Sequence, residues 1–332
     1  MKNGSVSLLL ALLIAGPVLA NDTMAEMKTG GLSYLQSPDI AMEQEDLFIS
    51  PTEVRVDYVF HNTSDKDVEG VVAFPMPEIT GGPDGDMALD DRESDNFLGF
   101  SVSQDGKPIT PTLQQRVTAI GVDWTEVLLA AKVPMMPYSE KTIAALKFLP
   151  EDLQKQWLSR GLVYIDSYDA GKGWQNDLTP LWTLHSTYWW TTKFPAGERV
   201  KVSHRYRPSV GGTVAMTFVA DGKPTDTTAA YRQRYCTDDD FLKAAARLEK
   251  AANAGSGPNY TESWISYILT TGANWNGGIG RFTLTVDKGN PKNLVSFCGK
   301  DVKKIGPTTF QMKADDFSPQ RDLDILILNA GE

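Results

Sequence analysis

Residues 54 to 60 read VRVDYVF, with Val54, Val56, Tyr58 and Phe60 pointing one way and Arg55, Asp57 and Val59 the other. Alternation of β-branched and aromatic side chains at period two specifies a half-buried strand, and this grammar constrains the chain more than any other feature. The polar run HNTSDKD, His61 to Asp67, supplies a turn, and VEGVVAF returns from Val68 as a second strand stopped by Pro75 and Pro77. The pair is expected to form a hairpin. Gly31 to Ile49, with a turn near Ser37-Pro38-Asp39, and Phe97 to Val102, before an Asp105-Gly106 turn, repeat the pattern. Further strands are expected at 142–148, 182–190, 199–206, 213–219, 280–286, 294–298, 308–312 and 323–328, several separated by the turn signals Asp221-Gly222 and Asp287-Lys288-Gly289.

Helix is expected in few places. Glu151 to Leu158 follows Pro150 and stops at Gly161, while Asp238 to Ala252 has Thr237 as N-cap, acids in its first turn and Gly255 beyond its end. Many short strands with two or three short helices predict a mainly β fold of antiparallel, sandwich-like lobes. The division that suggests itself is an N-terminal β lobe over 21–149, a helix and linker over 150–178, and a C-terminal β lobe over 179–332 that carries the inserted helix near 238–252.

Residues 1–20, MKNGSVSLLLALLIAGPVLA, have the parts of a cleavable secretory signal: Lys2, an apolar run from Leu8 to Ile14, a breaker at Gly16-Pro17, and Ala20 before the cut. That run is shorter than the roughly 20 residues that span a bilayer, and no later stretch approaches that length. The expected location is therefore periplasmic or secreted, with no transmembrane segment. The chain carries 32 basic and 42 acidic residues, a net charge of −10. Losing 1–20 removes Lys2 alone and leaves 31 against 42, an excess of 11 acids that makes nucleic acid an unsuitable partner. Two cysteines, Cys236 and Cys298, in an exported chain predict a disulfide, worth about 4 kcal/mol in the chain-entropy picture.

The run DLFISPTEVRVDYVFHNTSDKDVEGVVAFPMPEI (46–79), together with SYILTTGANWNGGIGRFTLTVDKGNPKNLVSFCG (266–299) and DFSPQRDLDILIL (316–328), resembles a family of exported bacterial proteins known as domain of unknown function 4424. The resemblance extends over nearly all of the chain after the signal and implies a periplasmic protein, but no activity. The N-terminal part alone, from the strand and N-T-S-D-K turn through Phe74-Pro75-Met76-Pro77 to Gly106-Lys107, is similar to the vault-protein inter-alpha-trypsin β domain, which implies a β-sandwich of a kind found in binding and scaffolding proteins. Such likeness of fold carries no chemistry.

Catalytic signatures are missing from the linear sequence. No G-x-S-x-G turn, zinc spacing or P-loop occurs, and His61, His185 and His204 each stand alone in their segments. His204 shares an apolar strand face with Val200, Val202 and Tyr206 and is expected in the core. A catalytic set could still assemble from distant positions. The loop from 78 to 96 is rich in Gly and acid, and Asp84, Asp86, Asp90 and Asp91 offer hard oxygen ligands of the kind calcium takes, though the remainder of a calcium-loop pattern is missing. No other cofactor is indicated.

Aromatic residues concentrate in WTLHSTYWW. Trp182, Tyr188 and Trp190 are expected on one strand face as core, Trp189 lies on the other, and Trp174 stands upstream in a Gly-rich segment. Trp174 and Trp189 are thus the candidate ligand-binding residues. The function expected is non-catalytic binding or scaffolding in the cell envelope, with a protein or glycan partner. Two rivals are a hydrolase acting on envelope polymers and a calcium-dependent adhesion or assembly module. Oligomeric state is not legible.

Overall fold

A computed structural model describes residues 23–28, 31–35, 37–83, 87–89, 91–169, 171, 173–270 and 274–331. Residues 1–20, where a signal is expected, and Asp84, Asp86 and Asp90 lie outside the described residues. The fold is mainly β, as expected, and is built on two large sheets packed face to face. In one, Val122–Asp123, Thr112–Ala119, Thr183–Phe194, Val68–Pro75, Thr23–Lys28 and Gly31–Leu35 lie in that order, with Ile79–Thr80 also on the Thr183–Phe194 strand. The other runs Lys303–Lys304, Thr309–Phe317, Ile279–Asp287, Ile40–Ile49, Val54–Asn62, Arg199–Tyr206, Ser101–Gln104 and Lys107–Ile109. This eight-stranded sheet takes strands from both sides of residue 178, and its one departure from antiparallel order among these strands is the parallel pairing of Ile40–Ile49 with Ile279–Asp287.

Alternation explains which wall each strand builds. Val54, Val56, Tyr58 and Phe60 are buried, as are Leu184, Tyr188, Trp190 and Phe194 from the facing sheet, so the two inner faces form one core. In Ile40–Ile49 the alternation slips: Met42, Glu45, Leu47 and Ile49 face inward because a bulge between Met42 and Gln44 resets the phase.

The hairpin expected from Val54 to Phe74 does not form. Val54–Asn62 pairs with Ile40–Ile49 and Arg199–Tyr206, whereas Val68–Pro75 pairs with Thr183–Phe194 and Thr23–Lys28. The polar run between them crosses from one sheet to the other, because both strands carry an apolar face that must be buried, and opposing walls of a sandwich bury both. Gly31–Leu35 and Ile40–Ile49 likewise belong to different sheets. Asn62, fully buried, holds the crossing: its amide donates to the carbonyls of Lys66 (2.7 Å) and Phe194 (2.9 Å), while its Oδ1 accepts from the backbone N–H (3.0 Å) and hydroxyl (2.8 Å) of Ser64.

A third sheet comprises Leu294–Phe297, Leu323–Ala330, Tyr260–Tyr267, Val210–Thr213 and Met87–Ala88. It is covered on both faces, which explains the unbroken apolar run ILIL at 325–328. Ile265, Tyr267, Leu323, Ile325 and Ile327 face the main core, and Tyr260, Leu326 and Leu328 face a smaller cluster under the helices.

Five helices occur among the described residues, where two or three were expected: α1 (Thr125–Ala130), α2 (Glu140–Lys147), α3 (Glu151–Ser159), α4 (Thr228–Tyr235) and α5 (Asp239–Asn253). Residues 142–148, expected as a strand, form most of α2 because Ser139 caps it, its Oγ accepting from Thr142 N (3.2 Å), while Glu93 accepts from the N–H of Glu140 (2.6 Å). The strand expected at 213–219 does not form: Val210–Thr213 ends where it was to begin, and the N–H of Thr217 turns to the buried Glu262 carboxylate (2.5 Å) instead of a ladder. The N-cap of α5 is Asp238, which accepts from Phe241 N (2.7 Å), not Thr237. The Cys236–Cys298 disulfide is present, with Cα atoms 5.0 Å apart, and joins the end of α4 to the residue after Leu294–Phe297.

Replacing Asn62 by Ala takes the side-chain donor from the buried bond to the Phe194 carbonyl at the crossing, and is expected to destabilise the protein by about 1–3 kcal/mol in urea unfolding with an unchanged slope.

Candidate functional site

The Gly-rich stretch around Trp174 folds as an antiparallel ribbon of two strands, Val163–Asp169 and Trp174–Pro180, with Val163 opposite Pro180 and Asp169 opposite Trp174. Neither strand pairs with a third among the described residues. An isolated two-stranded ribbon is marginal in water unless something braces it. Here α2 packs on the second strand and α3 on the first, Val163 and Pro180 are buried, and Lys147 Nζ lies 3.3 Å from Asp177. Beyond that base the ribbon emerges into solvent, with residues 166–169 and 174–176 all exposed.

Pleating sorts the side chains. Ile165, Leu178 and Trp174 share one face, together with the Ser167–Asn176 pair, whose side chains bond at 2.6 Å. Tyr168 lies on the other, its hydroxyl donating to Asp177 (2.9 Å) and Gln175 (3.2 Å). Trp174 is 76% exposed and Ile165 51%, so this face of the ribbon presents apolar surface to solvent. Asp169 orders the tip by accepting from the N–H groups of Gly171 (2.8 Å) and Gly173 (3.1 Å), both glycines at positive φ. Hydrogen bonding to Asp177, reinforced by that carboxylate's charge, raises the Tyr168 phenol above its ordinary value.

Trp189 belongs to a different sheet. It is half-buried on the outer face of Thr183–Phe194, level with Ala73 and Thr112. Trp182, Tyr188 and Trp190 are buried, as their strand face predicts. Of the four acidic candidates, Asp91 alone is described: it is exposed, and its Oδ1 accepts from the backbone N–H of Glu93 (3.0 Å) and Ser94 (3.1 Å). Among the described residues no three His, Cys, Asp or Glu side chains gather as a metal site.

One arrangement that linear sequence could not reveal lies on the outer face near Trp189. His185 Nδ1 is 2.9 Å from Glu78 Oε1, and its Nε2 is 2.7 Å from Thr118 Oγ1. A carboxylate that orients an imidazole against a hydroxyl is the arrangement in which the imidazole can take the hydroxyl's proton. Thr118 is flanked in register by Thr183 and Asp123, inside a three-stranded ladder rather than at a turn that would present free amides to an oxyanion. The three residues come from three segments, so no spacing signals them. His204 is buried among aromatic rings, where its strand face places it.

A family model described as "Domain of unknown function (DUF4424)" matches residues 20–326. No curated protein matches the sequence. A crystal structure from Legionella pneumophila subsp. pneumophila str. Philadelphia 1, described as a "putative nutrient binding protein", aligns over 93% of this chain and 70% of its own with 16% identity and a TM-score of 0.46. A likeness at that level supports no inference about this chain. Among the described residues no helix is long and apolar enough to cross a membrane.

Substituting Asp177 by Asn weakens the hydrogen bond and removes the charge that together raise the Tyr168 phenol. The Tyr168 phenol of that variant is expected to ionise at lower pH than in the parent, followed by the ring carbon resonance in an alkaline NMR titration.

Proposed function

The chain belongs to the family of domains of unknown function DUF4424, which brings no activity with it, and we propose that it is a non-catalytic binding or scaffolding module of the cell envelope whose contact arm is the ribbon. In this reading the chain is exported, cut after Ala20 and held in the periplasm. The carrying observation is the ribbon's exposure: Trp174 stands in solvent on the face it shares with Ile165, on two strands that pair with no third among the described residues. Tryptophan is enriched where partners bury large areas, because it supplies contact surface at little conformational cost. The outer edges at residues 166–169 and 174–176 join no further strand among the described residues, which favours an extended protein segment over a glycan. Asp166 and Asp169 on the arm suit a partner of basic character.

The hydrolase reading is favoured by one observation, the Glu78–His185–Thr118 line. It requires ester or glycoside turnover that Thr118→Val abolishes.

Residues 21–332 immobilised against envelope extract and purified peptidoglycan, with a photo-crosslinking residue at position 176, test the arm directly. The expected result is a defined protein cross-linked at the ribbon and lost at least tenfold in Trp174→Ala, whose thermal midpoint stays unchanged because the side chain is exposed. Equal capture by Trp174→Ala, or no cross-linked species, contradicts the proposal.

A further inference from the structure

A crevice of about 230 Å³ opens between the edge of the eight-stranded sheet and the third sheet, beside the disulfide. Leu284 and Met312 come from the first of these sheets and Leu323 from the other, and all three are buried residues of the main core. Phe317, half-buried, closes one side by stacking on Phe282 at 4.5 Å. The walls are thus apolar, while the mouth carries Lys300 and Arg321, both exposed. Arg321 is held in place by donating to the backbone carbonyls of Gln233 (3.0 Å) and Arg234 (2.7 Å), bonds that orient the guanidinium without neutralising it. The acid at the mouth, Asp322, gives one oxygen to the N–H (3.2 Å) and hydroxyl (2.8 Å) of Thr270. Among the residues that line the crevice two cations stand against one acid, in a chain whose net charge is −10.

An apolar slot with a cationic lip fits a ligand that is apolar at one end and anionic at the other. Its volume equals roughly eight water-sized units, about the room needed by six to eight carbons. We infer that the crevice binds a free carboxylic acid with a short unbranched chain, the chain against Leu284, Met312 and Leu323 and the carboxylate at Lys300 and Arg321. A bilayer lipid, with chains longer than the slot, does not fit. This site stands independently of the ribbon.

Octanoate titrated into the intact mature protein labelled with methyl-¹³C methionine tests the assignment, with the Met312 methyl as local reporter. The expected result is a saturable shift of that methyl. Binding should be at least tenfold weaker for butanoate, for octan-1-ol and in Lys300→Glu, an exposed substitution that leaves folding intact. No saturable Met312 shift overturns the proposal. So does octan-1-ol binding as tightly as octanoate, an unchanged affinity in Lys300→Glu, or a Met312 response to phosphatidylglycerol vesicles where free octanoate gives none.

Discussion

His204 sits where the two large sheets meet, and the architecture depends on what surrounds it. Its ring centroid lies 4.8 Å from Phe74, 5.2 Å from Phe100, and 5.5 Å from both Tyr58 and Trp190, each contact close to edge-on. Tyr58 is its neighbour within the eight-stranded sheet, Phe74 and Trp190 reach across from the facing sheet, and Phe100 closes the gap from the turn before Ser101. Edge-to-face packing of this kind adds roughly 0.5–1.5 kcal/mol per pair beyond burial, and it fixes the relative position of the sheets because each ring has one orientation that fits. Asn62 then carries the chain between the walls that these rings hold apart.

A filled interior leaves the margins for function. The ribbon projects from α2 and α3 because its base is buried and its outer residues have no sheet to join. At the opposite extreme of exposure, the crevice lies where buried side chains of the eight-stranded and third sheets meet, and the disulfide and Arg321 hold the end of α4 beside it. Both features are built on rigid elements, which is what a binding surface requires for specificity.

Strands were legible where a single face is buried without interruption. Arg199–Tyr206 falls at the residues its alternation predicts, and Thr183–Phe194 buries the aromatics that its pattern assigns to the core. Pairing was not legible, because alternation reports a buried face and says nothing of the neighbour, so Val54–Asn62 and Val68–Pro75 look like a hairpin while belonging to opposite walls. Helix α2 was misread because TIAALKF has β-branched and aromatic ends, and part of its N-terminal support comes from Glu93, 47 residues upstream. Helix α4 shows little amphipathic pattern, and it ends where Cys236 takes a left-handed φ of 55°. Trp174 could be singled out by its Gly-rich surroundings. The Glu78–His185–Thr118 line and the crevice could not, since each is assembled from segments far apart in the chain.

A solvated ribbon projects from a rigid sandwich, and native-state hydrogen exchange read residue by residue tests this most directly. Amides of Thr183–Phe194 and Arg199–Tyr206 are predicted to exchange slowest, at the rate of global unfolding, while those of residues 166–169 and 174–176 exchange at least roughly a hundredfold faster. Ribbon amides as protected as those of the two core strands would mean that the arm is folded against the body, and would contradict the account.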